Sequence, residues 1–155
     1  MKTMPLFVVL SAVILGVLAG SFAANKISNA QEQSVLTSSD HVSEDQIDVR
    51  GDGIAISLSG KDLRWTKYTN TNSMLPLLDE GYNGLEFVPE SRDEIHVGDV
   101  ISFFYKGENY VHRVIEIGTD EHGWYAITKG DSNKFIDDGK RRFEDVKGVL
   151  IGVIF

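Results

Sequence analysis

The strongest constraint on this chain is an uncharged run from Thr3 to Asn25, apolar almost throughout from Met4 to Ala24. As a helix those residues would be roughly 31 Å long, enough to cross a hydrocarbon core. Lys2 is the one charge ahead of the run, and it weakly favours a cytoplasmic N-terminus with the rest of the chain outside. The expectation is a membrane anchor over residues 1–24, single-pass, with the remainder on the extracytoplasmic side of a cell membrane. Ser21-Phe22-Ala23 also has the small-x-small pattern of a cleavage site, so a removed secretory signal is the competing reading. Both readings export the rest of the chain.

Residues 25–44 are rich in Ser, Gln, Asn and Asp and poor in large apolar side chains. That composition predicts a flexible stalk, with a folded β-rich domain over 45–155. Ile47–Val49 and Ile54–Leu58 flank a Gly-Asp-Gly turn and predict a hairpin. Further β-branched and aromatic runs lie at 63–68, 84–88, 100–105, 110–117 and 124–128, each bounded by turn residues. The apolar segment 149–155 is far too short to span a membrane and reads as a closing strand. No stretch after the apolar run carries a helical period of useful length. The fold class expected is therefore mainly β: a small antiparallel domain, barrel-like or a folded-over sheet, behind one N-terminal transmembrane helix.

Charge and composition exclude some chemistry. The formal net charge is -8, and Arg141-Arg142 is a pair rather than a patch, so nucleic acid is not an expected partner. The chain has no cysteine, which removes disulfides, thiolate catalysis and zinc–thiolate sites.

Three segments carry candidate chemistry. In Thr71-Asn72-Ser73-Met74-Leu75-Pro76 a strand delivers the chain into a polar turn, and Pro76 cannot continue a ladder. Ser73 thus sits where a hydroxyl can be exposed, although a serine in a turn is by itself ordinary. A hydroxyl needs a neighbouring base to become a nucleophile. Of the four histidines, His41 falls in the stalk and His122 in a polar turn, where solvation is expected; His96 stays a candidate. His112 lies inside a strong strand, with Tyr110 and Val114 on its face and Val111 and Arg113 on the other. A histidine on a rigid strand holds a geometry that a loop does not. The third segment, Thr128 to Gly139, brings Asp131, Asp137 and Asp138 into one loop, any of which could orient an imidazole. Alone, such a loop is usually solvated, or a weak calcium site.

Together, Ser-Met-x-Pro, Gly-Asp-Val (98–100), the His-Arg-Val strand and Lys-Gly-Asp-x-Asn with an Asp six residues past the first resemble the type I signal peptidases. The resemblance covers roughly Trp65 to Phe155, with the motifs in family order behind an N-terminal apolar segment. A histidine at 112, where the bacterial form has lysine, is similar to the archaeal and endoplasmic-reticulum type. The resemblance implies a serine endopeptidase that removes signal peptides from exported precursors at the membrane surface. It implies Ser73 as nucleophile, His112 as general base, Asp137 as the acid working with the base and Asp131 as a supporting acid. A one-residue slip would exchange Asp137 with Asp138. Secretory precursors, membrane lipid and the export channel are the partners it implies, and no metal or organic cofactor is required. The long stretch between the apolar segment and Ser73 departs from the usual pattern.

Two other readings compete. One is a non-catalytic, membrane-tethered β-domain that binds peptides or a protein partner. The other is a self-cleaving repressor-type protease, disfavoured by the export segment, the absence of a DNA-binding helix-turn-helix and the histidine at 112. A free imidazole titrates near pH ~6.5, so a histidine base predicts cleavage that falls away as pH drops through that range.

Overall fold

The computed structural model describes residues 36–155. The apolar run and residues 25–35, for which an anchor and the start of a stalk are expected, lie outside the described residues. Among the described residues no helix is long and apolar enough to cross a membrane.

Among the described residues eight strands form two antiparallel sheets. β1 (Ile47–Arg50) and β2 (Gly53–Ile56) pair as a hairpin, Arg50 opposite Gly53, around the anticipated Gly-Asp turn. The other six are β3 (Leu63–Lys67), β4 (Asn83–Phe87), β5 (Val100–Tyr105), β6 (Glu108–Asp120), β7 (Gly123–Lys129) and β8 (Val146–Ile154). Their order in the sheet is β3-β4-β8-β5-β6-β7. The helical content among the described residues is three single turns of 3₁₀ helix. β3 and β7 are the two ends of the sheet, with no pairing between them among the described residues, so the sheet is open rather than a closed barrel.

The segment read as a closing strand is in fact central. β8 lies between β4 and β5, and its Val146, Val149 and Leu150 are buried. A short apolar run near a chain end does not say which neighbours it will pair with. β5 and β6 are joined at Lys106-Gly107, both at positive φ, the turn whose twist matches two paired strands.

Apolar residues cover both faces of the sheet. Ile101, Phe103, Val114, Ala126 and Val149 build one core with Phe87 and Ile95. On the other face Met74 and Leu78 pack with Val100, Leu150 and Val111. The turn after Ser73 is thus anchored by its own apolar side chains, which hold it against β5 and β8. The expected alternation along β6 is present: Val114 belongs to the first core and Val111 packs on the second.

Residues 36–43 differ from the expected stalk, and the compact unit begins at Leu36 rather than near Asp45. The Ser39 N–H donates to Asp99 Oδ1 at 2.8 Å, and the Ser38 hydroxyl donates to the Gly98 carbonyl at 3.3 Å. The His41 side chain, expected to be solvated, is only 11% exposed. Polar contacts rather than apolar burial dock this segment, and hydropathy carries no trace of such contacts. Gly98 accommodates it: φ there is +102°, and a β-carbon would run into the Thr37 carbonyl.

Candidate active site

β6 carries His112 one residue beyond the reach of β7, whose last pair is Arg113 with Lys129. Among the described residues the β6 edge beside His112 therefore has no strand on it, and the chain leaving β7 supplies its partner. His112 Nδ1 lies 2.6 Å from Asp137 Oδ2, with the ring almost wholly buried beside Phe103 and Tyr110. The Thr128 hydroxyl donates to the same carboxylate oxygen at 2.7 Å. The Asp137 N–H donates to the Thr128 carbonyl at 2.9 Å, so β7 fixes the backbone of the acid as well as its side chain.

Burial alone would raise the Asp137 carboxyl. The hydrogen bonds from His112 and Thr128, helped by the nearby Arg141 guanidinium, outweigh it and hold the group below the usual carboxylate range. An ionised Asp137 accepts a hydrogen bond from Nδ1–H, which leaves Nε2 as the basic nitrogen.

The three acids of the loop separate cleanly. Asp137 reaches the ring. Asp138 is 83% exposed and pairs with Lys106 Nζ at 2.8 Å. Asp131 faces away from His112 and forms a two-pronged pair with Arg113, Nε to Oδ1 at 2.7 Å and Nη2 to Oδ2 at 2.6 Å. Arg113 Nη1 also donates to the Gly98 carbonyl at 2.7 Å. Arg113 thus ties the start of the acidic loop to the Gly98-Asp99 turn.

Ser73 is held by the same loop. Its carbonyl accepts the Ser132 N–H at 3.0 Å, and the Ser132 hydroxyl donates to the Asn72 carbonyl. Asn72 has φ of 56°, a conformation asparagine tolerates better than most residues. The loop between Gly130 and Asp137 therefore grips the backbone of Ser73 at one end and the ring of His112 at the other.

The two candidate side chains, Ser73 and His112, are not in contact. The Ser73 hydroxyl lies 3.0 Å from Thr71 Oγ1, and among the described residues it makes no hydrogen bond to His112. The reason is topological. Met74 packs on the face of Val100 and Val111, whereas His112 lies with Phe103 on the other face. The route between them runs round the β6 edge that β7 leaves uncovered. Of the other histidines, His122 is exposed, and His96 stands with Asp99 rather than near Ser73.

Gly130 is required by this packing. A β-carbon there would stand 2.6 Å from the Ser73 carbonyl oxygen and 2.6 Å from Asn133 Nδ2. Gly130→Ala is expected to push Ser73 aside, lowering any Ser73-dependent activity about 100-fold and stability by about 1–3 kcal/mol. Matched kinetics and thermal unfolding would check this; wild-type rates in a folded variant would show that the contact does not position Ser73.

A groove of about 710 Å³ runs past these elements. Arg64 and Thr66 of β3 and Tyr68 just after it line one side, Met74 and Leu78 lie along it, and Tyr110 and Val111 precede His112. Buried Glu86 forms part of its lining, accepting from Ser102 Oγ at 2.8 Å and Tyr68 Oη at 3.3 Å. Burial, then the Glu86 charge, push the Tyr68 phenol far up, so it remains a donor. A second recess of about 220 Å³ opens beside Asp137 and Arg141, and Tyr110 lines both.

Sequence reasoning missed Thr71, Thr128, Ser132 and Arg141 as parts of this site. Thr128 carried a usable signal, because strand alternation places it two residues from buried Ala126 on the same face. Arg141, 1% exposed and 3.7 Å from the Tyr105 ring centre, carried none, since arginine is rarely buried so deeply.

No protein-family model matches this chain, and neither the curated proteins nor the solved structures include a match to it.

Proposed function

We propose that this chain is a serine endopeptidase that cleaves signal peptides from exported precursors at a membrane surface, as its motifs resemble the type I signal peptidases. The observation that carries the reading is the Thr128–Asp137–His112 relay, presented on the bare edge of β6 by a loop that also grips Ser73. Three sequence-distant motifs converge on one loop, as a nucleophile, a base and an orienting acid require.

In this mechanism the Ser73 side chain turns from Thr71 toward Nε2 of His112, with local movement round the β6 edge. His112 takes the hydroxyl proton as Oγ attacks the scissile carbonyl, and later protonates the leaving amine. Asp137 keeps the proton on Nδ1 and stabilises the imidazolium. The Ser73 N–H is the candidate oxyanion donor. An extended substrate segment lies along the outer edge of β3, which has no partner strand among the described residues, with its side chains in the groove beside Met74 and Leu78. The apolar N-terminal run is the proposed membrane anchor, which would bring membrane-bound precursors to the site.

The test is turnover. The full-length chain in detergent micelles should convert a molar excess of purified precursor into two fragments, cut after a small residue. Stable one-to-one retention of intact precursor would instead favour a peptide-binding domain.

A further inference from the structure

A second cluster stands apart from the candidate active site. His41 Nε2, His96 Nδ1 and Asp99 Oδ2 all lie within 4.8 Å of one another. His41 Nε2 is 3.0 Å from Asp99 Oδ2, and His96 Nδ1 is 3.6 Å from it. Bond lengths of about 2.0–2.1 Å in a tetrahedral zinc site place neighbouring donors roughly 3.3–3.4 Å apart. The two separations bracket that value. Two imidazoles and a carboxylate are also a donor set that zinc accepts.

Two further observations point to a ligand. His41 Nε2 is shielded from solvent and has no hydrogen-bond partner among the described residues, although Asp99 stands close by. A buried imidazole nitrogen left in that state is unusual, because desolvated polar atoms are nearly always paired. The carboxylate donor is also held from behind, as metal ligands generally are. Asp99 is fully buried; its Oδ1 accepts the Ser39 N–H at 2.8 Å and its Oδ2 the His96 N–H at 2.8 Å. The His41 ring rests against Phe87, with centres 5.2 Å apart. A cavity of about 310 Å³ lined by His41, His96 and Phe87 leaves room for a fourth ligand, such as water.

We propose that His41, His96 and Asp99 bind one zinc ion, which staples residues 36–41 to the turn before β5. The role inferred for this site is to hold those two segments together. Its carboxylate belongs to the turn whose Gly98 carbonyl Arg113 holds, and Arg113 in turn holds Asp131 beside Ser73. The ion would stiffen the support of the acidic loop without touching a reacting atom.

The full-length chain in detergent micelles, freed of metal with a chelator, should take up one equivalent of Co²⁺ and show the visible absorption of a tetrahedral site. Zn²⁺ should displace it, bind with the same stoichiometry by calorimetry and raise the melting temperature. His41→Ala and His96→Ala should each weaken Zn²⁺ binding at least about 100-fold. His122→Ala, at an exposed histidine, should leave it unchanged. His96 is half-exposed, so His96→Ala decides the matter if His41→Ala fails to fold. No saturable one-to-one binding, or binding that survives the loss of His96, would overturn the site and leave His41–Asp99 as a simple ion pair. Every readout is metal binding, so the result does not depend on whether the chain cuts precursors.

Discussion

Replacing Ser73 or His112 with Ala is expected to lower kcat on a purified precursor by at least about 10⁴-fold while precursor binding persists. In a nucleophile–base pair each member is nearly useless without the other, so the two losses should be similar and far from additive in the double variant. Ser73 is half-buried and, among the described residues, its hydroxyl hydrogen-bonds only with Thr71, so Ser73→Ala should leave stability within about 0.5 kcal/mol of wild type. His112→Ala strips Asp137 of one partner inside the fold and should cost about 1–3 kcal/mol. His112→Gln, closer in bulk, guards against a false result from unfolding. Single-turnover kinetics and thermal unfolding on the same preparations would decide the matter. Folded variants that retain turnover within tenfold of wild type would remove Ser73 and His112 from the chemistry.

The second large effect distinguishes Asp137 from Asp131. Asp137→Asn should lower kcat about 10⁴-fold with the fold intact, because an amide can donate to Nδ1 and so favour the tautomer with its proton on Nε2. Asp131→Asn should behave oppositely. It breaks a two-pronged pair with Arg113 in which both side chains are mostly buried, at a cost on the order of 2 kcal/mol. Activity should then fall mainly through loosening of the loop. A pH series adds an independent check. The Asp137 carboxyl is depressed in the folded protein, so its contribution to stability is complete above its unfolded pKa of about 4 and is lost as pH falls through the lower folded value. Asp137→Asn should therefore flatten the acid limb of the stability curve. A larger kcat deficit in Asp131→Asn than in Asp137→Asn, at unchanged stability, would reverse the assignment.

Strand positions were readable because their causes are local. β-branched and aromatic residues between turn residues marked seven strands to within a residue or a few, and the 110–117 run grew into the longer β6. The alternation that sets His112 apart from Val111 and Arg113 follows from the pleat alone. The order of the strands was not legible. The central place of β8 depends on which edges meet after collapse, and no local feature of 149–155 encodes that.

The candidate site divides in the same way. Chain order and residue type were enough to nominate a serine turn, a strand histidine and an acidic loop. They could not rank Asp131, Asp137 and Asp138, because positions one or six residues apart in an irregular loop can point anywhere until β7 fixes where the loop begins. The early end of β7, the Arg113 clamp and the grip of Ser132 on Ser73 made that choice. His41 shows the limit most plainly. Its polar neighbours in sequence suggested solvent, yet distant Asp99 and Phe87 enclose it. Backbone preference and hydrophobic patterning act between near neighbours and can be read along the chain. Hydrogen bonds and buried charges are settled between residues that meet only when the sheet has closed over them.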